Sequence, residues 1–515
     1  MVKHFLGLLL GPLFLVASCQ SHSADEFIKL EELTIAEIHL AYQSGRYNCQ
    51  NLVSKYIQEM AKKDENLQAI TIVNPLALSR AKLLDEEYMK TKKLRPLHGI
   101  PIIVKDNINT VGLPTTAGSF ALEHFIPDEN AFIINQLEKA GAIVLAKSNM
   151  AEWAFSPMHT NSSLGGTTRN PYNLDYVPAG SSGGTAAAVA SNFALGGLGT
   201  DTGNSIRGPS SHCALVGFRT TIGLISREGI VPLFLRNDVV GPMCRTVEDA
   251  TKMMEVMVGY DSLDQVTAHS IGKSANNYTQ YLQKGGLEGS RIGVLREVSE
   301  ANVDPEIKAL FEVALEDLDS LGADVIDPIL IPNFAFLSEG NWCSVFRKDV
   351  EKFLKDYVKN DTIRTMEDII RIGTTAPISQ QRLEAYASKA GRWGKGDSAC
   401  LGAYQDEKRI AFRMAIENMM DSLALDAIVY PSWNKKPARI DFFEEEYGGD
   451  NNQIIAPHTG QPAFTVPMGY CSDNLPVGIQ FLGRMYDEPT LIKLSYAYEQ
   501  GTQHRKAPQA SVINE

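Results

Sequence analysis

A chain of 515 residues with 44% hydrophobic and 21% charged residues has the composition of a globular protein, and excludes a disordered, fibrous or disulfide-scaffold one. That length holds two to four average domains or one large α/β domain with insertions. A formal net charge of −13 and a pI near 5.4 keep the chain soluble and argue against a nucleic-acid partner.

The first residues differ in kind from the rest. Met1-Val2-Lys3 makes a short positive start, and residues 5–17 are apolar apart from Gly7, Gly11 and Pro12. A membrane span needs about 20 apolar residues, so this shorter run has the layout of an export signal. It ends in Val16-Ala17-Ser18-Cys19, which resembles a bacterial lipoprotein cleavage box. The resemblance implies cleavage before Cys19 and lipidation of that cysteine; the simpler alternative is a plain signal peptide cut nearby. The expected location is outside the cytoplasm, periplasmic or at the cell surface. The N-terminal lipid would be the sole membrane contact, since several acyl chains anchor stably where one does not. Residues 19–30 are polar and read as a tether.

Folding signals begin with Thr34-Ile35-Ala36-Glu37, a capping box that opens a helix ending near Gly45. A second helix is expected over 49–62 and a third after Pro75, whose fixed φ suits a first helical turn. Strand patterns over 100–104 and 142–146 bracket a helix over 131–140. Farther on, strands over 292–295 and 323–326 flank a helix over 305–321 capped by Asp304. The apolar stripe of that helix is Ile307, Leu310, Phe311, Ala314, Leu315, Leu318 and Leu321. This alternation predicts an α/β protein with a largely internal sheet. Residues 260–290 and 335–425 are more polar and helix-rich, and read as an insertion or cap. Without repeats, low-complexity tracts or a linker after residue 30, one large domain spanning about 31–508 is expected.

Beyond Cys19 the chain has Cys49, Cys213, Cys244, Cys343, Cys400 and Cys471, widely spaced and without a C-x-x-C pair. Neither a zinc site nor a redox motif is suggested, and H-E-x-x-H and Walker A are absent, so no metal or organic cofactor is expected. In an oxidising compartment one or two disulfides could form; the sequence does not choose among the pairings.

The chemistry concentrates in two small-residue turns. Gly180-Ser181-Ser182-Gly183-Gly184 leads into an alanine-rich helix, whose first turn has unpaired N–H groups. Gly199-Thr200-Asp201-Thr202-Gly203-Asn204-Ser205-Ile206-Arg207 lets backbone N–H groups converge on one point, as an oxyanion hole requires. Ser182 formally fits G-x-S-x-G, which would make the protein an α/β-hydrolase-type esterase. That elbow needs a strand before it, and residues 170–179 contain two prolines and no apolar run. His212, His269, His458 and His504 follow in the chain, so residue order alone does not remove this reading. Lys105 ends the strand over 100–104. A lysine there is ordinarily a surface residue; buried, it would lose charge and accept a serine proton.

The stretch 180–209 resembles the signature of the amidase signature family, and Ser181 and Ser205 stand 24 residues apart, as in that family. His98-Gly99-Ile100-Pro101-Ile102-Ile103-Val104-Lys105-Asp106 resembles its lysine motif. Further matches are Lys147-Ser148-Asn149-Met150-Ala151-Glu152, Gly241-Pro242-Met243, Thr459-Gly460-Gln461-Pro462-Ala463 and Leu475-Pro476-Val477-Gly478-Ile479-Gln480. The resemblance runs from about residue 31 to 500. It implies a single α/β domain with a mixed sheet covered by helices on both sides, and hydrolysis of a carboxamide by a Ser–cis-Ser–Lys triad. Ser205 matches the nucleophile, Ser181 the bridging serine after a cis peptide from Gly180, and Lys105 the base. The oxyanion donors would be N–H groups of Thr202, Gly203, Asn204 and Ser205, with Ser182, Asp201 and Arg207 in support.

Three positions depart from the pattern. Asn204 stands for a glycine, with a side chain expected to narrow the acyl pocket and some tolerance of positive φ. Ala179 replaces another glycine, and Gly208 replaces a bulkier residue. Residues 220–232 look most like the peptide-amidase branch, which implies C-terminal amides of short peptides as substrates. The rivals are a non-catalytic lipoprotein that binds peptides or amides, the Ser182 esterase, and one component of an amidotransferase that works with partners on charged transfer RNA. Export argues against the last.

Overall fold

The structure, a computed structural model, describes residues 28–359, 362–387, 400–509 and 512. The expected signal and the lipidation site at Cys19 lie outside the described residues. The expected tether extends too far: Ile28 and Leu30 are already buried and pack into the main core with Ile35 and Ile38.

Among the described residues eleven strands form one mixed sheet. Its order is Ile70–Val73, Ile143–Ser148, Pro101–Lys105, Gly196–Asp201, Val239–Cys244, Val216–Arg219, Ala463–Tyr470, Pro476–Leu482, Ala427–Pro431, Arg291–Val294 and Asp324–Ile326. Pro101–Lys105 runs parallel to both its neighbours, and the five strands from Gly196 to Leu482 pair antiparallel. Successive strand residues face opposite sides, yet every residue of Pro101–Lys105, Ile143–Ser148 and Gly196–Asp201 is buried. Both faces of the sheet are therefore covered. In Ala427–Pro431 the alternation is explicit: Ala427 and Val429 join one apolar cluster, Ile428 and Tyr430 another.

Local signals place the helix ends. Thr34 and Glu37 close their capping box around Ile35–Ser44, and Gly45 ends that helix at φ 67°. Asp304 accepts from Glu306 N at 2.9 Å to open Pro305–Ser320. Two boundaries differ from expectation. Cys49–Leu67 runs past residue 62, because Leu67 is still buried against the core. Pro75 precedes the N-cap Leu76 of Ala77–Thr91, outside the first turn.

Residues 260–290 form short 3-10 turns, Gln265–Ser270 and Thr279–Tyr281. The 335–425 segment contributes Phe346–Tyr357, Met366–Ile372 and Pro377–Ala387, which share an apolar cluster with Trp153, Phe155 and Phe234. Cys343 and Cys400 are disulfide-bonded with Cα atoms 5.8 Å apart, which ties the two ends of this helical segment together. Cys49, Cys213, Cys244 and Cys471 are buried and free.

Candidate active site

The parallel pair Pro101–Lys105 and Gly196–Asp201 carries both turns of interest to one edge. Val104 pairs with Leu198, so the end of the first strand places Lys105 beside Gly199 and Thr200. The carboxyl ends of parallel strands are where α/β sheets present their sites. The helix Gly183–Ala190 starts at the same edge, and its first turn packs closely: a Cβ on Gly184 would lie 2.2 Å from Asn149 O. Ser181 and Ser182 are thereby held at the helix entrance, and the Gly180–Ser181 peptide is cis.

Lys105 is wholly buried. Its Nζ lies 2.7 Å from Ser181 Oγ, 2.9 Å from Thr200 Oγ1 and 3.4 Å from Thr200 O. No carboxylate pairs with it among the described residues. Burial lowers its pKa to about 7, against the opposing pull of Asp201 and Asp238. These contacts serve either protonation state: the ammonium donates to all three oxygens, and the neutral amine keeps two of the bonds. Asn107 Nδ2 donates to Thr200 Oγ1 at 3.1 Å and to Val231 O, which marks the hydroxyl oxygen as an acceptor. When the amine is neutral, its two hydrogens go to Thr200 and its lone pair faces the Ser181 hydroxyl. Lys147, the other buried lysine nearby, donates instead to Ile108 O and Thr115 Oγ1, with Asp106 Oδ1 at 3.8 Å.

The turn after Gly196–Asp201 is pinned from behind. Asp201 pairs with Arg207 Nε at 3.1 Å and Arg219 Nη1 at 2.8 Å, all three side chains buried. Burial pushes its carboxyl up, but the two guanidinium groups overcome this and hold it below the usual range. Arg207 also donates to Gly203 O at 2.7 Å and Gln480 Oε1 at 2.7 Å. With the Gly203 carbonyl turned toward Arg207, the planar peptide aims the Asn204 N–H the opposite way. Thr202 Oγ1 donates to Asp238 Oδ1 at 2.5 Å. Among the described residues, the N–H groups of Thr202, Gly203, Asn204 and Ser205 donate to no other protein group. Ser205, 5% exposed, hydrogen-bonds through Oγ to Asn204 Oδ1 at 3.3 Å.

The three departures resolve differently. Asn204 makes no use of its tolerance of positive φ, while Ala179 lies in the left-handed region at φ 61°. Arg207 and Asp201 fix the Asn204 turn without a positive φ, whereas the chain reverses at Ala179 to enter the cis peptide. Gly208 answers Asn204 directly: a Cβ there would lie 2.9 Å from Asn204 Nδ2 and 3.0 Å from the Trp433 ring. The smaller residue at 208 makes room for the larger one at 204.

An open pocket of about 200 Å³ begins at Thr202–Ser205 and is walled by Phe155, Leu233, Phe234, Trp342, Tyr386 and Gln453. Trp342 and Tyr386 come from the 335–425 segment. Ser182 lacks the strand–turn–helix elbow of an α/β-hydrolase nucleophile. Its Oγ donates to Thr200 O at 3.3 Å, and no strand immediately precedes it. None of the four histidines hydrogen-bonds Ser182 among the described residues: His212 packs against Trp433, His269 on Tyr404 and His458 against Trp342 of the pocket wall, and His504 meets Asp317.

Sequence reasoning passed over Thr200, Asn107, Asp238 and Arg219. Thr200 and Asn107 lie inside or beside the motifs already singled out, and a search for acceptors able to orient a buried lysine would have reached them. Asp238 and Arg219 carry no local signal, because their partners come from other strands.

A sequence profile of the Amidase family matches residues 51–492. A probable amidase of Arabidopsis thaliana is 33% identical over 512 residues, covering 96% of this chain and 94% of its own. A glutamyl-tRNA(Gln) amidotransferase component from Caldanaerobacter subterraneus subsp. tengcongensis is 32% identical, with 94% and 99% covered. Among solved structures, native peptide amidase from Stenotrophomonas maltophilia matches with a TM-score of 0.82 at 34% identity, covering 93% of this chain and 99% of that one. Profile, full-length relatives and fold agree: the chain belongs to the amidase signature family and is an amidohydrolase.

Proposed function

We propose that this amidohydrolase cleaves C-terminal amides of short peptides through an acyl-enzyme on Ser205, with Ser181 as proton bridge and Lys105 as base. The observation that carries the reading is the buried Lys105 amine, unpaired with any described carboxylate and 2.7 Å from Ser181 Oγ. The Ser205 hydroxyl leaves Asn204 for Ser181. As Ser205 Oγ attacks the amide carbon, its proton passes to Ser181 while Ser181 gives its own to Lys105. The unengaged N–H groups of the 202–205 turn receive the oxyanion. The C–N bond then breaks, the proton returns through Ser181 to the nitrogen, and ammonia leaves. Water attacks the ester by the same relay in reverse and frees the carboxylic acid.

The 220–232 segment and the likeness to peptide amidase support the peptide-amide assignment, as does an aromatic pocket open enough for a peptide end. The Val16-Ala17-Ser18-Cys19 box supports placement outside the cytoplasm on a lipid anchor, and the Cys343–Cys400 bond is consistent with an oxidising compartment. Likeness to the glutamyl-tRNA(Gln) amidotransferase component supplies a second reading, against which the export signal weighs. The test is ammonia release from blocked dipeptide amides by the purified protein alone. Ser205→Ala is expected to abolish release and Ser182→Ala to retain some. Tight amide binding with no ammonia from wild type would favour the non-catalytic binder.

A further inference from the structure

The residues lining the pocket in front of Ser205 include one formally charged side chain, Arg382, and no acid. Arg382 lies on Pro377–Ala387, is half-buried, and meets no carboxylate among the described residues. The helix that bears it is held on two sides. Thr374 Oγ1 donates to Glu152 Oε2 at 2.8 Å and Ser379 Oγ to Glu152 O at 3.4 Å, just before and within its first turn. One turn after Arg382, the Tyr386 ring packs against Phe155 and Phe346 at 5.4 and 5.5 Å and Phe234 at 6.1 Å. Positions four apart share a helix face, so anchoring Tyr386 aims Arg382 at the same cavity. Acids close in the chain to the wall are occupied: Asp201, before Thr202, pairs with Arg207 and Arg219, and Asp450, before Gln453, accepts from Gln453 Nε2 at 2.7 Å and Asn452 Nδ2 at 3.1 Å.

A guanidinium lining an aromatic-walled pocket, with no counter-ion among the described residues, gains no ion-pair energy from them, and its planar fork fits a carboxylate. We infer that Arg382 is a specificity-determining residue that receives a carboxylate on the acyl side of the substrate, so that amides of acidic peptides are preferred. This rests on the amidase reading above: with ammonia as the leaving group, all the rest of a primary amide lies on the acyl side.

The experiment compares kcat/KM for blocked dipeptide amides carrying Glu, Gln or Lys at either position, for wild type and Arg382 variants whose folding is checked by thermal unfolding. Wild type is expected to favour Glu over Gln at one position by about tenfold, mainly through KM, and the preference shrinks at high salt. Arg382→Gln brings the ratio to about one, Arg382→Lys keeps part of it, and Arg382→Glu turns it toward Lys. A wild-type ratio near one, or an unchanged ratio in folded Arg382→Gln, overturns the inference while leaving amide hydrolysis intact. Absence of turnover on every amide overturns the reading beneath it as well.

Discussion

Lys105 is the residue on which charge, proton and stability meet. Its amine must be neutral to accept a proton, and burial brings its pKa to about 7. kcat/KM is therefore expected to climb with pH through a midpoint near 7 and level off above it, in a steady-state pH series. Lys105→Ala should lower kcat by roughly a thousandfold or more. The same shift has a stability sign. Unfolded, the lysine titrates at its ordinary 10.5; folded, near 7. Between those values the unfolded chain binds the extra proton, so this group's contribution to stability rises with pH across the window. Below pH 7 the full cost of burial is felt. Lys105→Met, which keeps the volume and removes the cost, is expected to raise the unfolding midpoint most at pH 6 and progressively less toward pH 10. A variant less stable than wild type at pH 6 would contradict this. The proposal of Ser181, Ser205 and Lys105 as the triad comes from spaced motifs, and the structure brings Lys105 to Ser181. The burial of Lys105 was not legible in them, since it depends on Thr200, 95 positions away in the chain.

At the scale of elements, Asn204 and Gly208 share one turn of space. Gly208→Ala is expected to cost about 1–3 kcal/mol through the contacts its Cβ would make. Adding Asn204→Gly should recover part of that cost, leaving the Trp433 contact; a double-mutant cycle by denaturant unfolding measures the coupling. Additive costs would show that the two positions adapt independently. The capped helices after Thr34 and Asp304 were readable because their signals span three or four residues. The extension to Leu67 was not, because it is decided by burial against distant side chains. Ala179 shows the converse limit: sequence marks a lost glycine but not that the position still adopts φ 61°.

On the scale of the whole molecule, the sheet supplies the edge that carries Lys105 and the 196–205 turn, and the 335–425 segment supplies part of the pocket wall. The alternation of strands and helices announced the sheet. That Trp342, Arg382 and Tyr386 line one pocket with Ser205 could not be read, because this segment carries helical periodicity but no record of where it docks. The Cys343–Cys400 bond spans the segment that holds this wall. Replacing both cysteines by serine is expected to cost about 2–4 kcal/mol of stability and to raise KM for peptide amides severalfold with a smaller change in kcat. An unchanged KM would separate the disulfide from the pocket.

The relay from Lys105 through Ser181 to Ser205 is tested most directly by labelling with a fluorophosphonate, following adduct formation by mass spectrometry as a function of pH. The relay predicts a single adduct on Ser205, a labelling rate that rises with a midpoint near 7, and near-complete loss of labelling in Lys105→Ala. An adduct on Ser182, or Lys105→Ala labelling as fast as wild type, would contradict it.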